Sequence, residues 1–137
     1  MRSPLRVLFV DDDSPTREGY TSYLASAGFD VISAATGAHA LALARTSAPD
    51  VIVLDLGLPD IDGWEVARRL KATPSTSTIR IIALTAASLR HEVVSAMRAG
   101  CDRHVAKPCR PADLVDAIRQ CVQSRRGISP LRRDVDD

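Results

Sequence analysis

The chain has 137 residues, 45% of them hydrophobic and 26% charged, a composition that fits one globular domain with its own core. A formal net charge of +1 gives no electrostatic reason to bind nucleic acid or an anionic membrane. No stretch reaches the ~20 apolar residues of a membrane span, and the short polar N-terminus has no signal-peptide core, so a cytoplasmic protein is expected.

Leu5 to Val10 is an apolar run broken only by Arg6, a first strand that ends in Asp11-Asp12-Asp13. Ser14 is placed to cap the next helix with Pro15 at its first position, and Tyr20, Leu24 and Ala27 give helical spacing before Gly28 stops it. Phe29 to Ser33 reads as a second strand. Thr36 caps a second helix that carries Ala40, Leu41 and Ala44 on one face and ends near Pro49. Val51 to Leu54 has the continuous apolar character of a strand buried on both faces, and Asp55 closes it. Gly57, Pro59 and Gly63 then mark a loop, and Asp62 with Glu65 makes a capping-box pattern before Val66, Ala67 and Leu70. Trp64 reads as a helix-start residue covering that loop.

The segment from Thr73 to Thr78, with Pro74, Ser75 and Ser77, reads as a loop before a fourth strand, Ile79 to Leu84, ending at Thr85. Leu89, Val93, Ala96 and Met97 have the spacing of an amphipathic helix closed by Gly100. A weaker strand, Arg103 to Ala106, runs into Lys107-Pro108. Pro111 starts a last helix with Leu114, Ile118, Cys121 and Val122 on its buried face. From Ser124 no apolar period remains, so residues 1–123 are expected to form the domain and 124–137 a short flexible tail. Cys101, Cys109 and Cys121 lack C-x-x-C spacing and read as small residues in a reducing compartment.

Five alternations of strand and helix predict an α/β fold. The expected form is a flavodoxin-like (βα)5 three-layer sandwich, with a parallel sheet of order 2-1-3-4-5. That order brings the carboxyl ends of strands 1, 3, 4 and 5 together, where ligands of such sheets bind. They deliver Asp11, Asp12, Asp55, Thr85 and Lys107. Converging carboxylates repel unless a cation lies among them, and oxygen-only ligands favour Mg²⁺, with Mn²⁺ also acceptable, over zinc. A lysine and a hydroxyl beside such a site equip an aspartate to attack phosphorus and form an aspartyl phosphate. No Walker-type loop, no G-x-G-x-x-G after the first strand and no serine nucleophile elbow is present, which disfavours nucleotide and hydrolase readings.

Val-Leu-Phe-Val-Asp11-Asp12-Asp13, Val-Leu-Asp55-Leu-Gly-Leu-Pro59, Asp62-Gly63, Leu84-Thr85-Ala86 and Ala106-Lys107-Pro108 occur in this order. With these blocks the chain resembles the receiver domain of bacterial two-component response regulators, of the chemotaxis-type single-domain fold, over about residues 5 to 123. The resemblance implies that Asp55 takes a phosphoryl group from a kinase phosphohistidine or from a small donor such as acetyl phosphate. Asp12, Asp55 and the Gly57 carbonyl would ligate Mg²⁺, with Asp11 reaching it through water. Thr85 and Lys107 would hold phosphoryl oxygens, Ala86 would leave room for the group, and the Lys107-Pro108 bond would be cis. The implied activity is confined to the domain's own phosphoryl transfer and dephosphorylation. Implied partners are a histidine kinase or phosphotransfer protein and a downstream protein, met through a face of the fourth helix, fifth strand and last helix. A monomer or weak dimer through that face is expected, without direct nucleic acid or membrane binding.

Two positions depart from the family pattern. His104 stands where an aromatic switch residue is usual, and Cys109 where phenylalanine often follows Lys-Pro; both bear on the outer signalling face. His39 and His91 read as ordinary exposed helical residues. Gly57 and Ala87 place no polar chain beside the phosphoryl pocket, so dephosphorylation is expected to rest on solvent access. Two alternatives stay open: a receiver-like interaction module not regulated by phosphorylation, and a haloacid-dehalogenase-like phosphatase. The second would need an acid/base aspartate at the position of Gly57.

Overall fold

The structure, a computed structural model, describes residues 4–86 and 97–127. Its elements are β1 (Arg6–Val10), α1 (Ser14–Ser26), β2 (Asp30–Ala34), α2 (Gly37–Ser47), β3 (Val51–Asp55), α3 (Gly63–Ala72), β4 (Arg80–Ala86), β5 (Arg103–Lys107) and a last helix, Pro111–Gly127. The five strands form one parallel sheet in the order β2-β1-β3-β4-β5, as the alternation predicted. Most of the predicted fourth helix, with His91, and the position of Ala87 lie outside the described residues, as does the chain beyond Gly127.

The period of two along each strand sorts the core into two layers. Leu8, Val10, Ile52, Leu54, Ile81 and Ala83 pack toward Ala40 and Ala44 of α2 and Val66, Ala67 and Leu70 of α3. Val7, Phe9, Val51, Val53, Ile82 and Leu84 pack toward Leu24 of α1 and Leu114, Ile118 and Cys121 of the last helix. Central β3 contributes to both layers, and all five of its residues are buried, Asp55 among them. No disulfide joins Cys101, Cys109 and Cys121, and Cys101 and Cys121 are buried.

Several local expectations shift. Asp13, rather than Ser14, caps α1: its Oδ2 accepts the Thr16 N–H at 3.0 Å, while the Ser14 hydroxyl donates to Glu18 at 3.2 Å. The second strand starts at Asp30 because the Phe29 N–H still donates to the Leu24 carbonyl (3.2 Å) in the turn closing α1, where Gly28 takes φ +103°. In the same way Ile79 closes a loop turn onto Thr76, and β4 then pairs with β5 as far as Ala86 and Lys107. The expected capping box at Asp62 does not form. Asp62 makes no side-chain cap bond, and Glu65 is drawn to Arg68 and, at 2.8 Å, to Arg69 one turn along α3. Thr36 caps α2 as expected, accepting the His39 N–H at 3.1 Å. The last helix crosses the expected boundary at residue 123 and continues to Gly127.

Candidate functional site

β1 and β3 are neighbours and β5 lies one strand beyond, across β4; each of the three carries an ionisable residue at or just past its carboxyl end, on one edge of the sheet. Asp55 and Lys107 continue the alternation of Val53 and Val105, so they emerge on the sheet face that packs against α1 and the last helix. Asp11 continues that of Val7 and Phe9. It is 1% exposed; its Oδ1 accepts the Asp13 N–H at 2.9 Å and its carbonyl accepts Arg17 Nη1 at 2.8 Å. Asp55 Oδ1 accepts the Gly57 N–H at 3.1 Å, turning the chain sharply into the β3–α3 loop. At the far end of that loop the Gly63 N–H returns to the Leu56 carbonyl at 3.2 Å. A Cβ on Gly63 would lie 2.6 Å from Leu56 Cα and 3.0 Å from the Asp55 carbonyl oxygen, so only glycine lets α3 start this close to the Asp55 backbone.

Lys107 Nζ lies 3.4 Å from Asp11 Oδ2 and 3.5 Å from Asp55 Oδ2. One carboxylate oxygen from each of Asp11, Asp12 and Asp55 falls within 4.8 Å of the others, with Asp12 exposed at the mouth. Three carboxylates against one ammonium leave the cluster short of positive charge. Burial pushes the Asp55 carboxyl above its ordinary pKa, although the Gly57 N–H and Lys107 pull the other way. Burial also opposes the charge on Lys107, but Asp55 and Asp11 together outweigh it and its pKa rises. An all-oxygen donor set with unbalanced negative charge fits a hard divalent cation. Asp11, Asp12 and Asp55 are the residues that could hold it.

Thr85, near the carboxyl end of β4, is 2% exposed, and its hydroxyl oxygen has no hydrogen-bond partner among the described residues. A buried hydroxyl without a partner is costly and uncommon in a native fold. His104 pairs in register with Ala83, and Ala106 with Thr85, so Thr85 and His104 share a sheet face; His104 itself is exposed. Cys109 follows a cis Lys107-Pro108 bond and is partly buried against the core layer of α1 and the last helix. Its carbonyl accepts the Tyr20 hydroxyl of α1, and its Sγ lies 3.6 Å from that hydroxyl. Burial and the Cys109 thiol push the Tyr20 phenol up to about 12, and its ring stacks on Phe9 with centroids 5.4 Å apart. His39 is exposed on α2, and Trp64 is half-buried against the α2–α3 core layer. Tyr20, Arg17 and Asp60 are the site neighbours that sequence reasoning passed over. Each acts across a long chain separation or through a backbone atom, which leaves no local signature.

Fold and site together define a doubly wound α/β domain that gathers acids from two strands and a lysine from a third at its carboxyl edge. The chain belongs to the response regulator receiver domain family, whose model matches residues 7–119. It is 38% identical over 114 residues to the DNA-binding response regulator MtrA of Mycobacterium leprae, covering 83% of this chain and 49% of that protein. The chain thus spans about half the length of the curated relatives it matches. A CheY-like response regulator receiver domain protein of Methanospirillum hungatei superimposes with a TM-score of 0.82 at 27% identity, covering 88% of this chain and 95% of that one. The receiver domain of a sensor histidine kinase of Pseudomonas aeruginosa, with a magnesium ion coordinated in its active-site cleft, gives 0.81 at 29% identity, covering 88% and 99%.

Proposed function

We propose that this receiver domain is a phosphorylatable switch in which Asp55 accepts a phosphoryl group from a histidine kinase or phosphotransfer protein. The observation that carries the reading is the convergence of Asp11, Asp12 and Asp55 with Lys107 Nζ at 3.4 and 3.5 Å from two of the acids. Asp11, Asp12, Asp55 and the Gly57 carbonyl would hold Mg²⁺, which supplies positive charge against the phosphoryl oxygens when bound.

Asp55 Oδ attacks phosphorus as the bond from phosphorus to the donor breaks, its electron pair leaving with the donor's imidazole nitrogen or acyl oxygen. Lys107 places an ammonium beside the equatorial oxygens, so this chain's contribution is positioning and charge rather than acid–base chemistry. The buried Thr85 hydroxyl is a donor in reserve, and a phosphoryl oxygen on Asp55 gives it an acceptor. Drawing Thr85 toward that oxygen moves the end of β4 on the face it shares with His104, which gives a route to a partner-binding face around β5 and the last helix.

With Mg²⁺ and acetyl phosphate the protein should gain the mass of one phosphoryl group, and Asp55→Asn should gain none. Retention of the full adduct in that variant would remove Asp55 from its role.

A further inference from the structure

Asp60 lies in the β3–α3 loop, five residues after the proposed phosphoryl acceptor, and it reaches across to another element. Its Oδ1 accepts the Gly37 N–H at 2.8 Å and its Oδ2 accepts the Ala38 N–H at 3.0 Å. These are the first two amides of α2, donors with no partner inside their own helix. Thr36, the local cap, reaches only the His39 N–H, so α2 is capped once by its own segment and once by the loop beside the site. Gly37 is pressed from the same side: a Cβ there would lie 2.9 Å from Val66 Cγ2, 3.1 Å from Ile61 Cβ and 3.4 Å from Asp60 Oδ1. The two amides and the positive end of α2 hold the Asp60 carboxyl below its ordinary pKa.

The loop is therefore pinned at both ends and in its middle. Gly57 is held by Asp55 Oδ1, Leu58 is buried in the α2–α3 core layer, and Asp60 is tied to α2. Between the Gly57 and Asp60 ties only Pro59 and the buried Leu58 intervene, so the Asp60 tie and Leu58 together restrain the short segment that carries the Gly57 carbonyl. We infer that Asp60 is a positioning residue, using the rigid N-terminus of α2 to fix the loop that presents the Gly57 carbonyl to the cation.

This inference rests on the Mg²⁺ reading of the Asp11, Asp12 and Asp55 cluster, and two readouts separate its failure from the failure of that reading. The first is Mg²⁺ affinity by calorimetry on the unphosphorylated full chain. Asp60→Ala should weaken it about tenfold, the effect typical of losing a group that orients a ligand, while Thr36→Ala stays within about twofold of wild type. Thr36→Ala removes a cap from the same helix end without touching the loop, so it controls for simple loss of α2 stability. Asp60→Asn keeps one carbonyl oxygen as acceptor and should recover part of the affinity. The second readout is amide hydrogen exchange over residues 56–62 in metal-free protein, which Asp60→Ala should speed and Thr36→Ala should not. Equal Mg²⁺ affinity in Asp60→Ala and wild type, or equal losses in Asp60→Ala and Thr36→Ala, would overturn the positioning role. If wild type binds no Mg²⁺, the metal reading fails and the presentation of Gly57 to a cation is overturned with it. The exchange data would then report only on the mechanical tie.

Discussion

The same substitution, glycine to alanine, should have opposite effects at Gly63, at the start of α3, and at Gly19, inside α1. At Gly63 a Cβ would sit 2.6 Å from Leu56 Cα, 2.7 Å from Leu56 Cδ2 and 3.0 Å from the Asp55 carbonyl oxygen. The leucine tip can rotate away, but the two backbone atoms move only if α3 or the end of β3 moves. Overpacking of this kind costs about 1–3 kcal/mol, and backbone neighbours place Gly63→Ala toward the upper end. At Gly19, exposed in α1, a Cβ meets nothing within 4 Å. There the substitution only removes unfolded-state freedom within a helix and should stabilise by about 0.5–1 kcal/mol. Urea unfolding of wild type and both variants measures each difference against a common slope. Gly63→Ala should also slow phosphorylation from acetyl phosphate, because relieving the clash displaces Asp55, whereas Gly19→Ala should leave that rate alone. A Gly63→Ala protein as stable as wild type would refute the close approach on which the site's geometry rests.

Asp12 and Asp13 are adjacent but should separate cleanly. Asp13→Ala should lower the unfolding midpoint by removing the α1 cap, with little change in Mg²⁺ affinity, and Asp12→Ala should do the reverse in paired melting and calorimetric titrations. Thr85→Val deletes a buried hydroxyl that has no partner among the described residues, so stability should stay within about 1 kcal/mol of wild type. The variant should still be phosphorylated, yet hydrogen exchange over 103–107 should no longer respond. A pH series in chelator tests the Asp55 environment. Burial raises the folded-state pKa, so the stabilising contribution of protonation is complete below the unfolded carboxylate's pKa and is lost as pH rises through the folded one. Asp55→Asn lacks this loss, so its stability advantage over metal-free wild type should grow with pH; a gap independent of pH would contradict the direction of the shift.

Much of the architecture was legible because a central parallel strand has no polar face to hide. Val51 to Leu54 is apolar at every position, and Asp55 breaks the run where the strand leaves the core. The same logic placed Asp11 and Lys107 beside it once the strand order followed from alternation. Errors fell where side chains choose among near-equal partners. Asp13 and Ser14 can each cap α1, and the one-residue choice depends on where the turn begins after Asp11. Glu65 could reach back to Asp62 or forward to Arg68 and Arg69, and two guanidiniums on the same helix won. The Cys109 carbonyl accepts the hydroxyl of Tyr20, a partner 89 residues earlier that no local pattern announces. The Asp60 tie spans 23 residues to two backbone amides, and an amide has no side chain to announce it.

Reductive trapping tests most directly whether Asp55 Oδ is the nucleophile that takes the phosphoryl group. Protein phosphorylated with acetyl phosphate and Mg²⁺ is treated with borohydride, which converts an aspartyl phosphate to homoserine, and the modified residue is located by peptide sequencing in the mass spectrometer. Homoserine is expected at position 55 and at no other aspartate, with no product when Mg²⁺ is chelated. Homoserine at Asp11 or Asp12, or an adduct that forms equally without the metal, would contradict it.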